Sequence, residues 1–289
     1  MPAAGAVLPH SRQRVREPRR TQWRLQAPIV CALAALLAAP LPARSADADQ
    51  PATASATAPA DVTIATDRPA VTESSVVVPQ GGLQLESGFQ ATDTGDHHLL
   101  DFPEADLRYG LLEKTELRLS LPDYYHNLAA PSSGASGFGD TTVGLKQQLG
   151  PVYGFDLSLI PSLSLPTGAQ PVSSHGYDPA LQLPWSRSLS ASWTVAGQLA
   201  AYWPTVAGRH RAIDEATLLF DRQLTASCDA FIEYAADVAQ RGGTSQLLHV
   251  GAAYRLTAHH QLDVHAAAGL SQAAPRSFIG VGYSYLFLR

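Results

Sequence analysis

Between Phe155 and Leu165 the chain alternates. Phe155, Leu157, Leu159, Leu163 and Leu165 fall on one side of an extended backbone, and Asp156, Ser158, Ser162 and Ser164 on the other. The same period of two recurs along the chain. Leu83, Leu85, Phe89 and Ala91 oppose Gln84, Glu86 and Gln90; Leu117, Leu119 and Leu121 oppose Glu116, Arg118 and Ser120; Val143, Leu145 and Leu149 oppose Gly144, Lys146 and Gln148. Residues 193–205, 215–223, 230–240, 246–256, 262–271 and 278–287 read the same way, as do 181–188 and 99–111, the last with a bulge expected at Pro103. From Gly82 onward no 3.6-residue period is sustained, and glycine and proline recur too often for long helices. The pattern predicts twelve strands.

Two architectures bury such strands. A two-layer sandwich turns the apolar face to a core, whereas a membrane barrel turns it to lipid and leaves the polar face lining an inner space. In the last five strands one side carries Leu218, Phe220, Ile232, Tyr234, Val238, Leu248, Val250, Tyr254, Val264, Leu270, Ile279, Val281, Tyr283, Tyr285 and Phe287. The other carries Asp221, Glu233, Asp237, His249, Arg255, Asp263 and His265. Local alternation fits both architectures. The connections separate them, because tight turns around 112–114, 150–153, 189–191, 226–228 and 258–260 alternate with several long loops, as in bacterial outer-membrane barrels with an even number of strands. The expectation is an all-β fold over residues 81–289: a closed antiparallel up-and-down transmembrane β-barrel of about 12 strands.

The N-terminus points to the same compartment. Arg12, Arg14, Arg16, Arg19, Arg20 and Arg24 precede an apolar run, Ile29 to Leu37, too short to span a bilayer and followed by prolines and small residues. Residues 1–48 are expected to be a cleaved signal peptide, ending at Ala46-Asp47-Ala48, and residues 49–60 a disordered Pro/Ala/Thr linker. Cleavage leaves 13 Lys and Arg against 23 Asp and Glu, a formal charge of −10, which argues against nucleic acid as a partner. It also leaves Cys228 as the remaining cysteine, so neither an internal disulfide nor a multi-cysteine metal site is expected.

Parity places Glu86, Glu104, Asp106, Arg108, Arg118, Lys146, Asp156, Asp221, Glu233, Asp237, Arg255 and Asp263 on the inner face. Charges of both signs there either set a transverse field that selects solutes or fill a narrow interior as ion pairs. Residues 61–80 precede the first full strand and carry Asp67, Arg68 and Glu73. The segment is expected either to fold into the lumen as a plug, pairing with groups such as Arg118 or Glu86, or to cap the barrel from the periplasm. The pairs His97-His98 and His259-His260 read as polar turn residues, because adjacent strand residues face opposite ways and the two pairs fall at opposite ends. His249 and His265 are both inward and within reach of Asp263 or Ser271, but no nucleophile elbow or phosphate-binding glycine loop accompanies them. No enzyme activity, cofactor or metal is expected.

Several phrases in order, TDRPAVTES (66–74), LQLESGFQ (83–90), LRYGL (107–111), GFGDTTVGLK (137–146), SLPTGA (164–169) and LPWSRSLS (183–190), resemble the outer-membrane transporter family labelled putative meta-pathway of phenol degradation. The resemblance covers about residues 61–289. It implies an outer-membrane barrel of Gram-negative bacteria that passively transports small hydrophobic or aromatic solutes, with outer-membrane lipid and the barrel-assembly machinery as partners. A plugged barrel with a structural or partner-binding role, and a soluble periplasmic β-sandwich binding module, are the other readings. One departure stands out: such barrels end on an outward aromatic residue, and here Leu288-Arg289 follow Phe287.

Overall fold

A computed structural model describes residues 62–128 and 136–288. The expected signal peptide and linker lie outside the described residues. Among those described, the strands are β1 (Leu83–Asp93), β2 in two pieces (His98–Phe102 and Asp106–Leu112), β3 in two pieces (Thr115–Ser120 and Tyr124–Asn127) and β4 in two pieces (Gly137–Phe138 and Thr141–Val152). Then follow β5 (Phe155–Leu165), β6 (Asp178–Ser188), β7 (Trp193–Tyr202), β8 (Ile213–Thr225), β9 (Cys228–Ala239), β10 (Thr244–Arg255), β11 (His260–Gly269) and β12 (Ser277–Phe287). A short ribbon, Thr205–Val206 with Arg209–His210, decorates the loop between β7 and β8.

Each strand pairs antiparallel with its neighbours in sequence, and β12 returns to pair with β1 from Leu83↔Phe287 to Asp93↔Ser277. The twelve-stranded sheet therefore closes on itself, and no sandwich forms. Closure matters physically, because a strand edge in hydrocarbon would leave backbone N–H and C=O groups unpaired. β2 breaks at Pro103, where the bulge was expected: proline brings no N–H to the ladder, and the Pro103 carbonyl instead accepts from the Gly88 N–H at 2.6 Å.

The connections alternate in length. At one end, the turn end, two residues join β2 to β3, β4 to β5 and β8 to β9. The turn between β4 and β5 has both central residues at positive φ, Tyr153 at 52° and Gly154 at 80°, the geometry that matches strand twist in a two-residue hairpin. The opposite, loop end carries the longer connections, including those after β5 and β7.

The faces are those of an inside-out protein. Ile279 is 57% exposed, Val281 52% and Val250 45%, all on the outer surface. The fully buried large side chains include Arg108, Lys146, His249, Gln84, Gln198, Glu86, Glu116 and Glu233. In FDLSLIPSLSL, Ser158 is buried in the barrel and Pro161 is exposed outside; Ile160 breaks the polar inner row and is buried there. Val62, Ile64, Val78 and Leu286 form an apolar cluster.

Candidate functional site

The barrel's interior is occupied by the chain's own segment 62–80. The Ile64 N–H donates to the Ala258 carbonyl in a turn-end connection at 2.7 Å, and on the way out the Gly81 N–H donates to the Gly110 carbonyl at 2.7 Å. Between these anchors the chain makes a reversal inside the lumen. The extended backbone there has no sheet partner, so its N–H groups need side-chain acceptors, and the inward strand positions supply them.

Three carboxylates grip that backbone. Glu86 on β1 accepts from the Asp67 and Arg68 N–H groups, each at 3.0 Å. Glu233 on β9 accepts from the Val71 N–H at 2.9 Å, the Thr72 N–H at 2.8 Å and the Thr72 hydroxyl at 2.6 Å. Glu116 on β3 accepts from the Val78 N–H at 2.7 Å. A carboxylate receiving several N–H donors is a strong, directional anchor.

The segment's own charges face a basic arc of the wall. Asp67 pairs with Arg108 at 3.2 Å, Arg118 at 2.5 Å and Lys146 at 2.9 Å, and also accepts the Ser74 N–H at 2.8 Å. Glu73 pairs with Arg118 at 2.8 Å. Arg108, fully buried, also bonds Glu86 at 2.6 Å and Glu116 at 2.9 Å. Arg68 points the other way, to Glu104 at 2.7 Å and Asp263 at 3.5 Å. Its guanidinium lies over Gly88 and Gly282, which face each other across the closing seam; a Cβ at either position would collide with it. Only glycine leaves that space.

Burial would push the Asp67 carboxyl up, but Arg108, Lys146 and Arg118 together hold it well below the usual carboxylate range. Glu73 goes the other way, pushed up to about 7, because its burial and the charge of Asp67 outweigh Arg118. The charge count explains the difference. Asp67, Glu73, Glu86 and Glu116 confront Arg108, Arg118 and Lys146, so one acid is in excess, and Glu73 has one guanidinium where Asp67 has three cations.

Of the residues singled out in the sequence, Asp67, Arg68, Glu73, Glu86, Arg108, Arg118, Lys146, Glu233 and Asp263 meet in this network. Asp221, Asp237 and Arg255 do not. Arg255 bonds Asp229 and the Ala226 carbonyl near the turn end, Asp221 is half-buried beside that pair, and Asp237 lies toward the loop end. Parity reasoning passed over Glu116 as an inward charge, although its alternation with Arg118 carried the signal; Glu215, on β8, was legible by the same rule. His249 bonds Glu233 at 2.9 Å and His265 at 3.0 Å, rather than Asp263 or Ser271, which serve Arg68 and the Thr244 carbonyl. His97-His98 lie at the loop end and His259-His260 at the turn end.

A closed barrel with an apolar exterior and a charged, segment-filled interior is the fold of an outer-membrane channel. The chain belongs to the family described as "Putative MetA-pathway of phenol degradation", whose model matches residues 66–287. An outer-membrane channel from Pseudomonas putida F1 shares the fold with a TM-score of 0.58 at 16% identity, over 73% of this chain and 97% of that one. The KdgM porin matches at 0.52 and 12%, covering 71% and 99%, and the NanC porin at 0.51 and 8%, covering 70% and 98%. No curated protein matches the sequence significantly.

Proposed function

We propose that the chain is exported by its N-terminal signal, inserts into the bacterial outer membrane through the barrel-assembly machinery, and passes small solutes passively, with segment 61–80 as the constriction. The observation that carries the reading is the inversion of the barrel: lipid-compatible residues outside, hydrogen-bonding residues inside. Hydrophobic and aromatic compounds are the solute class to which the family description points. Diffusion would follow the gap between the segment and the polar wall, with Asp67, Arg68, Glu73 and the inward charges setting selectivity.

One observation favours a second reading, a barrel that is permanently plugged. The segment is bonded to opposite sides of the wall, through Glu86 on β1 and Gln198 on β7. Planar-bilayer recording of the full chain and of a variant lacking residues 62–80 separates the two, with a mobility shift on boiling in detergent as the control for a folded barrel. Current through the full chain supports the channel. Current through the deletion variant alone makes the segment a plug, as the second reading has it. Silence from both folded proteins abandons transport in favour of a structural role.

A further inference from the structure

Two arginines stand on the outer face of the barrel at its turn end, apart from the ion pairs of the lumen. Arg187, next to last in β6, continues the outward row of Leu181 and Trp185, while Gln182 on the other parity is buried. Arg222 on β8 continues the row of Leu218 and Phe220, with Glu215 and Thr217 buried behind them, and it pairs in register with Trp193, the first residue of β7. Both arginines are exposed, and among the described residues neither side chain makes a hydrogen bond or an ion pair. Arg255, inward at the same end, has Asp229, and Arg276 at the loop end has Asp93.

Aromatic rings seat both guanidiniums. That of Arg187 lies 5.1 Å from the centre of the Phe155 ring on β5, which meets Trp185 edge-on at 5.7 Å, and that of Arg222 lies 5.3 Å from the centre of the Trp193 ring. A ring face attracts the cation while leaving its N–H donors unused. The nearest acids along these strands take the inward parity: Asp156 pairs with Ser186, Asp221 with Thr194 and Asp229 with Gln223. Turns 150–154, 189–192 and 226–227 contain no acid. This stretch of the outer face is therefore cationic, with no counter-ion among the described residues.

Trp193 is 41% exposed and Tyr153, in the turn between β4 and β5, 58%. With Phe155 and Trp185 they make an aromatic girdle of the kind that sits at the headgroup level of a membrane, and the short turns of such barrels face the periplasm. Hydrocarbon does not solvate two unpaired charges, whereas headgroup phosphates at that depth accept the paired N–H groups of a guanidinium. Phe155 and Trp193 are two strands apart, which sets the guanidiniums about 10 Å apart across the sheet and suits one phosphate to each. A zwitterionic lipid brings a cation of its own to this surface; an anionic one does not. We propose, on the outer-membrane reading above and independently of the lumen, that Arg187 and Arg222, seated on Phe155 and Trp193, bind the phosphates of anionic phospholipid in the periplasmic leaflet.

Trp185 and Trp193 stand beside the two arginines, and with Trp23→Phe and Trp203→Phe they become the reporters of the full-length chain. The folded barrel is placed in phosphatidylcholine vesicles, and its fluorescence is followed as brominated phosphatidylglycerol or brominated phosphatidylcholine replaces the host lipid. The expected result is quenching by phosphatidylglycerol at mole fractions at least about threefold lower than by phosphatidylcholine. Arg187→Gln with Arg222→Gln should bring the two curves together, and Arg276→Gln at the loop end should leave them apart. Boiling-dependent gel mobility confirms that each variant is folded, and the single arginine variants serve if the double one fails to fold. Coincident curves in the native arginine background overturn the anionic-lipid surface, and a preference that survives the arginine variants overturns the assigned residues. A chain that stays out of the vesicles sinks the outer-membrane reading and this surface with it, whereas one that inserts without preference sinks this surface alone.

Discussion

Arg108 shows what a single residue does in this interior. It is 0% exposed and bonds Glu86, Glu116 and Asp67, so its replacement leaves three carboxylates short of a counter-ion. Removing one partner of a buried ionic cluster costs about 3–5 kcal/mol, because the charges left behind have lost their solvation as well as their pair. Arg108→Met is expected to lower barrel stability by that order in urea titrations followed by gel mobility. A loss within about 0.5 kcal/mol, the range of ordinary surface changes, would mean that water or a neighbouring cation already compensates the site. That Arg108 and Glu86 face inward was legible from alternation with leucines. That they share Asp67 was not, because Asp67 lies on a segment with no period, and its partners come from three different strands.

Strands were the most legible elements. A period of two repeated at regular spacing identifies them, and the alternation of short and long connections tells which end each belongs to. The break at Pro103 was legible from the proline, whereas the one between Ser120 and Tyr124, around Pro122, was not read from the alternation. The outer face gives a prediction at this scale. Val250 lies in the middle of β10 and Tyr254 four residues nearer the turn end, both outward. In a bilayer Val250→Arg is expected to cost about 2–4 kcal/mol and Tyr254→Arg only about 0–1 kcal/mol, the depth dependence of a lipid-facing strand. Equal costs in liposome unfolding experiments would argue that this face packs against protein instead of acyl chains.

For the molecule as a whole, the basic arc of the wall and the four carboxyls that face it, two of them from the inner segment, form one electrostatic unit with one acid in excess, and that excess gives it a pH response. Glu73, ordinarily titrating at 4.5, is pushed up to about 7 in the folded chain by burial and Asp67. The folded state then binds the Glu73 proton more tightly than the unfolded state, so this residue's contribution to stability falls as pH rises from about 4.5 through about 7. Asp67 has the opposite sign: held low, it contributes above the ordinary carboxylate range and is lost only in stronger acid. The difference in stability between the native chain and Glu73→Gln, measured from pH 4 to 8 (roughly spanning that window), is expected to shift steadily in favour of the variant as pH rises. A flat difference would show that Arg118 keeps Glu73 ionised throughout.

By itself the sequence determined the strands, their inward and outward faces and the alternation of turn and loop, because each depends on residues adjacent along the chain and on a period that backbone geometry imposes. Only the tertiary structure decided that β12 meets β1, that segment 62–80 threads the lumen on three carboxylates, and that Glu233, His249 and His265 form a hydrogen-bonded chain. Those contacts join positions far apart in sequence, and no local periodicity encodes which inward side chain will face which once the barrel has closed.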